Sequence, residues 1–449
     1  MKRLNYLLLL FFLSLFVYSS ESLYKREFES FKLDNGLEIL MVKTKTQPIV
    51  TIQIAAKNGS YTQIPENCGL SHLYEHMFFK GNVKWKTQEE YNKRIRELGI
   101  IYNGMTSNES VRYFFTLPSK NLNEGLEFMS YAIIDPLFDS IELEKERKVV
   151  LNEFNRDFSN PIYRFYQTID SLLYEKYFYR KNTIGTKNII MGATREQMYQ
   201  IKNRYYIPNN CALVIVGDID FKETKNLVKK YFNRWEKGDD PVFDFPKHPP
   251  LDSNKTFFIV DKVSTSEYSL SFRVPDFNPD RVETYAMDLL SDYLSMKSSK
   301  LYKDLVESGL VYDYYVGYSG LKDGAEFSFY VDLKGENLPK VRETIFKHLK
   351  DLIDENYFDE KLLERARENA EVQMYKRLES SRSYALTLGY WWCVGGVESF
   401  QKYNERIKQV NSSDLKKVAA DYLVGKNHVE VILTDSTNFK NLSLIGGEK

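Results

Sequence analysis

Histidine and cysteine are the scarcest chemistry-bearing residues of this chain, five and three in 449 positions. Cys68, Cys211 and Cys393 allow at most one internal bridge, which excludes a disulfide scaffold and leaves stability to core burial. Excess charge of one sign is missing as well. Lys+Arg and Asp+Glu both number 62, so the formal net charge is zero and no polyanionic partner is implied. There is no basic stripe and no glycine-rich phosphate loop, which argues against nucleic acid or nucleotide as the main ligand. Long apolar runs are nearly absent. The one from Leu4 to Val17 follows Met1-Lys2-Arg3 and precedes Ser19-Ser20-Glu21-Ser22. It reads as a secretory signal peptide over residues 1–22, the alternative being an uncleaved anchor. The run is shorter than the ~18–20 residues a membrane span needs, and no stop-transfer pattern follows. An exported protein, periplasmic or extracellular and free of the membrane after cleavage, is expected; no cysteine at the cleavage point suggests a lipoprotein.

What is present describes a globular protein: 43% hydrophobic and 28% charged residues, with 33 tyrosines and 29 phenylalanines. That aromatic content suits a sheet-rich core and sites that grip extended peptide. Two of the five histidines fall in His72-Leu73-Tyr74-Glu75-His76. On a helix, positions i and i+4 lie on one face about a turn apart, and i+3 projects from the same side. Two imidazoles so placed can share one metal ion while Glu75 acts as a general base, the pattern H-x-x-E-H. A catalytic zinc takes three protein ligands and keeps one position for water. The candidate third lies in the segment from Glu144 to Glu153, where Glu146, Val149, Val150 and Glu153 share a helical face.

The chain also repeats itself. Gly99 corresponds to Gly309, Leu122 to Leu338 and Phe138 to Phe358, at offsets of 210, 216 and 220. A period near 200 residues is a duplicated domain, not a solenoid. The last offset sets Ala366 and Gln373 at the positions of Glu146 and Glu153, and no histidine lies between His248 and His348. Metal chemistry is therefore expected in the first half alone. Each half mixes strands (Val50–Ala55, Phe114–Leu117, Cys211–Val216, and a hairpin over 31–40 turning at Asn35-Gly36) with helices such as Glu142–Phe154 and Lys361–Leu378. The expected fold is α+β: two homologous domains, each a mostly antiparallel sheet with helices packed on it, enclosing a chamber. The domains are placed at 23–238 and 251–449, joined by a proline-rich linker at 239–250.

Gly69-Leu70-Ser71-His72-Leu73-Tyr74-Glu75-His76-Met77-Phe78-Phe79-Lys80-Gly81, with Glu146-Arg147 and Asn152-Glu153 downstream, resembles the inverzincin metallopeptidases: pitrilysin, insulin-degrading enzyme and mitochondrial processing peptidase, most of all the short bacterial two-domain members. Ile184-Gly185-Thr186, Tyr206-Ile207-Pro208-Asn209-Asn210 and Val216-Gly217-Asp218 are similar to later landmarks of that family. The resemblance implies one Zn²⁺ per chain held by His72, His76 and Glu153, with Glu146 as the acid behind them and Glu75 activating the zinc-bound water. It implies a zinc-dependent endopeptidase that hydrolyses peptides or unfolded polypeptide segments, with Asn103 on a strand edge contacting substrate. Relatives also carry an arginine and a tyrosine in the second half. The tyrosine is Tyr312; the arginine is missing, since none lies between Arg281 and Arg342. Three readings stay open: a homologous subunit, in a homo- or heterodimer, supplies it; a lysine such as Lys300 or Lys303 replaces it; or efficient catalysis is lost. The competing class is a non-catalytic or weakly active member serving as a binding or assembly subunit. Trp391-Trp392-Cys393 reads as core or interface.

Overall fold

A computed structural model of the protein describes residues 26–243 and 245–445. The expected signal segment, 1–22, lies outside them. The first half runs through β1 (Glu27–Lys32), β2 (Glu38–Lys43), β3 (Ile49–Ala56), α1 (Leu70–Phe78), α2 (Gln88–Leu98), β4 (Ile101–Thr106), β5 (Val111–Pro118) and α3 (Leu122–Ile134). It continues with α4 (Ser140–Ser159), α5 (Pro161–Tyr174), α6 (Lys187–Gly192), α7 (Arg195–Tyr205), β6 (Cys211–Gly217) and α8 (Phe221–Phe232). The second half holds β7 (Lys255–Val260), β8 (Ser266–Arg273), α9 (Val282–Ser295), α10 (Lys300–Tyr302), β9 (Val311–Ser319), β10 (Glu326–Leu333), α11 (Leu338–Asp351) and α12 (Glu360–Arg377). Then come α13 (Ser381–Val394), α14 (Val397–Gln409), α15 (Ser412–Tyr422), β11 (Val429–Thr434) and α16 (Ser436–Ile445). The stretch expected as linker, 239–250, has no helix or strand among its described residues.

The two sheets repeat one topology. The first has the order β1-β2-β6-β3-β5-β4, the second β7-β11-β8-β10-β9, so the second lacks only an outer strand. Neighbouring strands pair antiparallel except β2 with β6 and β7 with β11, which are parallel. The Asn35-Gly36 turn joins β1 to β2 as expected: Gly36 has φ +93°, and Asn35 Oδ1 accepts from Leu37 N. Helices α4 and α12 start 220 residues apart, as do α5 and α13, matching the offset read from Phe138 and Phe358.

Each half carries its own core. One lies between the first sheet and α1, α3 and their neighbours; the other lies between the second sheet and α9, α11 and α12. The remaining faces of the sheets are covered crosswise. Helix α13 of the second half sets Tyr384, Leu388, Trp391 and Trp392 on Leu40, Val42, Val214 and Val216 of the first sheet. Helix α5 of the first half sets Phe165, Ile169 and Leu173 on Val429, Val431 and Leu433 of the second. The Trp391-Trp392-Cys393 run is thus buried in the last turn of a helix between the halves. Both faces of β6 are buried, which is why Cys211–Gly217 reads as an unbroken apolar run and not as an alternation.

Candidate metal centre

Helix α1, nine residues or about two and a half turns long, is amphipathic. Leu70, Leu73, Tyr74, Met77 and Phe78 are buried in the first core, where Tyr74 stacks on Tyr206 at 4.2 Å and Phe78 on Tyr113 at 3.8 Å. Those contacts fix the rotation of the helix, so His72, Glu75 and His76 face away from the core on one side. The helix starts at Gly69, whose left-handed φ of +91° suits glycine; a Cβ there would stand 2.6 Å from the Gly185 Cα. That backbone-on-backbone approach is the physical content of the Gly185 landmark.

Helix α4 is capped by Asp139, whose side chain accepts from the Ile141 and Glu142 amides. It runs past α1 and buries Leu143, Glu146 and Val150. Val149, on the same helical face by spacing, is 40% exposed. Ligand atoms of His72, His76 and Glu153 all lie within 4.8 Å of one another. Glu153 Oε2 is 3.5 Å from His76 Nε2 and 4.0 Å from His72 Nε2. Tetrahedral zinc with bonds near 2.0–2.1 Å wants ligand atoms about 3.3 Å apart, so small side-chain movements bring this set to bonding distance. Two imidazoles and a carboxylate are a donor set zinc takes, and the three residues fit the ion.

Behind the ligands, His76 Nδ1 lies 3.1 Å from Glu146 Oε2, and the other Glu146 oxygen is 2.7 Å from Lys80 Nζ. That contact leaves His76 Nε2 as the free lone pair, turned toward Glu153. Burial alone would raise the Glu146 carboxyl, but hydrogen bonds from His76 and Lys80 outweigh it and hold it below the ordinary carboxylate value. His76 is pulled down by burial and pushed up further by Glu146, Glu153 and Glu75, ending above its usual value. His72 is pushed down to about 4 by burial and by neighbouring His76, which favours the neutral imidazole that a metal takes as donor. Its Nδ1 is buried with no hydrogen-bond partner among the described residues. Glu75 is raised, chiefly by burial and against an opposing bond in which Thr106 Oγ1 donates to Glu75 Oε2 at 2.6 Å.

The structure thus brings His72, Glu75, His76, Glu146 and Glu153 together. Asn103 sits elsewhere: it is exposed on β4, the outer strand of the first sheet, where its Oδ1 accepts from the Gly104 amide. Tyr312 is 52% exposed on β9, the outer strand of the second sheet. Among the described residues no hydrogen bond, ion pair or ring contact joins it to the five. Of the other tyrosines on β9, Tyr315 is exposed while Tyr314 and Tyr318 pack against the second core. Sequence reasoning missed Lys80 and the Thr106 contact. Lys80 had a signal, since it stands four residues beyond His76; Thr106 had none beyond its place near Asn103.

Among the described residues only the first half of this two-domain α+β chain clusters two histidines and a glutamate, beside a second, buried glutamate, which is the donor set of a metal centre. Residues 38–187 match the family model described as insulinase (peptidase family M16), and residues 192–370 match the one described as the peptidase M16 inactive domain. The chain belongs to peptidase family M16. It is 26% identical over 422 residues to the zinc protease PqqE of Helicobacter pylori, covering 91% of this chain and 93% of that protein. It is 27% identical over 232 residues to the insulin-degrading enzyme of Homo sapiens, which spans 50% of this chain and only 23% of that enzyme. The crystal structure of a protease from Helicobacter pylori superposes with a TM-score of 0.81 at 26% identity, covering 91% of this chain and 99% of that one.

Proposed function

We propose that this chain is a zinc-dependent endopeptidase acting on peptides or unfolded polypeptide segments, with His72, His76 and Glu153 as metal ligands and Glu75 as general base. The observation that carries the reading is the convergence of three ligand atoms within 4.8 Å, with Glu75 on the same helix face as both histidines. Bound zinc supplies a Lewis acid and an acidified water. The chain's own residues do the rest. His72 offers a neutral imidazole, and Glu146, backed by Lys80, fixes the tautomer and direction of His76. Glu75, its proton affinity raised by burial, takes a proton from the attacking water and hands it to the leaving amine. The open edge of β4, with Asn103 exposed on it, receives an extended peptide as an added strand.

The missing arginine and the lack, among the described residues, of any contact between Tyr312 and the metal residues have one common remedy. A homologous subunit that supplies the arginine would also complete the oxyanion contacts. Export rests on the Leu4–Val17 stretch; among the described residues no helix is long and apolar enough to cross a membrane.

Metal analysis joined to peptide cleavage tests the reading. One zinc per chain and chelator-sensitive cleavage are expected. Glu75→Gln should keep the zinc and lower kcat/KM by roughly 10²–10⁴-fold, the usual weight of a general base. Metal-free protein, or cleavage indifferent to chelator, would favour the binding or assembly role, whereas Glu75→Gln with near-normal turnover would sink the assignment of Glu75 as base.

A further inference from the structure

We propose that Thr106 is the positioning residue of the general base: from the outer strand β4 its hydroxyl holds the Glu75 carboxylate in the rotamer that the proton transfer needs. The inference rests on the reading of Glu75 as base. Its observations are independent of the metal ligands. Thr106 Oγ1 donates to Glu75 Oε2 at 2.6 Å, within the range of short O–H···O⁻ bonds to a carboxylate. Two residues earlier on the same strand, and so on the same face, Gly104 is buried against the Glu75 side chain. A Cβ on Gly104 would lie 2.6 Å from Glu75 Cγ and 2.8 Å from Oε1. The base therefore rests on bare backbone at one point and is tethered by a hydroxyl at the next.

Strand β4 pairs with β5 on one side only, with Gly104 opposite Tyr113 and Thr106 opposite Val111. Its inward face fixes Glu75 while its free edge is the surface offered to substrate. Docking and base geometry thus depend on the same six residues, Ile101–Thr106. A general base must sit within hydrogen-bond reach of the proton it removes, and a carboxylate on a two-carbon stem has rotamers that miss it. Selecting one rotamer is an effect on the chemical step, not on substrate affinity.

The experiment compares Thr106→Val, Thr106→Ser and Thr106→Ala with wild type and with Glu75→Gln, in the full zinc-loaded chain. Steady-state kinetics on a fluorogenic peptide are read beside zinc content and thermal unfolding. Thr106→Val keeps the branched shape but removes the donor; kcat should fall about tenfold, with KM within twofold and zinc at one per chain. Thr106→Ser restores the donor and should return kcat to within about threefold of wild type. Thr106→Ala serves as the donor-free variant if valine disturbs folding. Unchanged kcat in both donor-free variants overturns the inference, and so does a serine variant as slow as valine. If Glu75→Gln itself leaves cleavage intact, the base assignment fails instead, so the two failures are distinct.

Discussion

The two halves of this protein share a sheet order, a helix order and a mode of packing, yet among the described residues only one of them gathers a set of side chains that could hold a metal. Helix α9 lies against α12 and β9 as α1 lies against α4 and β4. Where α1 presents two histidines, α9 offers Asp288 and Asp292, whose carboxyls burial pushes up, Asp292 to about 7. Asp288 accepts from the Tyr403 hydroxyl. Where α4 carries Glu146 and Glu153, the 220-residue offset gives Ala366, fully buried, and Gln373, exposed. The scaffold is thus indifferent to the chemistry. What distinguishes the halves is a handful of side chains and, for one of them, the company it keeps: Glu146 is only 6% exposed and stays ionised because His76 and Lys80 pair with it.

That dependence gives the largest expected effect. Ala366→Glu would place in the second half the carboxylate the first half carries, at a position with 0% exposure. An unpaired buried charge costs several kcal/mol, so we expect a loss of stability above about 4 kcal/mol, or failure to fold. Chemical denaturation of the variant measures it. A loss under 1 kcal/mol would mean that the position opens to water and that Glu146 owes little to its partners.

The second effect concerns how the halves are joined. Because α5 and α13 each cover the other half's sheet, neither sheet is complete without the opposite half. Leu173 on α5 and Leu388 on α13 are each 1% exposed in those crossed contacts. Leu173→Ala and Leu388→Ala should each destabilise by about 3 kcal/mol through lost burial and the cavity left behind. Each should lower hydrogen-exchange protection in both sheets together. Two separate unfolding transitions, each moved by only one of the variants, would break the claim that cross-packing couples the halves.

These contacts mark where the amino-acid sequence stops being informative. The metal cluster was legible because helical periodicity alone sets His72, Glu75 and His76 on one side, and because histidine is too scarce for a casual match. The duplication was legible through Gly99, Leu122 and Phe138 and their counterparts, and α12 and α13 begin where its offset puts them. Cross-packing was not legible: α5 reads as an ordinary amphipathic helix and α13 as a largely apolar one, and nothing in Leu388 names a partner more than 170 residues earlier in the chain. Val149 shows the same limit on a smaller scale. It shares a helical face with Glu146 by spacing, but whether a residue at the margin of a face is covered depends on the neighbouring element. Thr106 carries no signal of its own in the sequence, because its bond to Glu75 crosses 31 residues and needs the sheet to exist.

The smallest effect comes from setting one buried carboxylate in each half side by side. Glu430 on β11 is the second half's counterpart in kind to Glu146, at 2% exposure. Both are penalised by burial and held ionised by partners. Glu430 receives Arg342 Nε at 2.6 Å and Nη2 at 2.7 Å, a two-pronged fork, together with the Tyr268 hydroxyl at 2.7 Å. Burial would raise it, but the bonds from His428, Arg342 and Tyr268 bring it from an ordinary 4.5 down to about 2. A depressed carboxylate contributes stability above its unfolded value, and that contribution is lost as pH falls through the folded value. The window here runs from about pH 5 down to about pH 2. The full contribution is on the order of 3 kcal/mol, an upper bound because the Arg342 side chain is 43% exposed and partly screened. By pH 3 roughly half of it should be gone. Glu430→Gln removes this titration, so its stability should fall less steeply than wild type between pH 5 and pH 3 in urea unfolding. Parallel slopes would show that Glu430 titrates normally, and that the Arg342 fork lacks the hold on a buried carboxylate that His76 and Lys80 exert on Glu146.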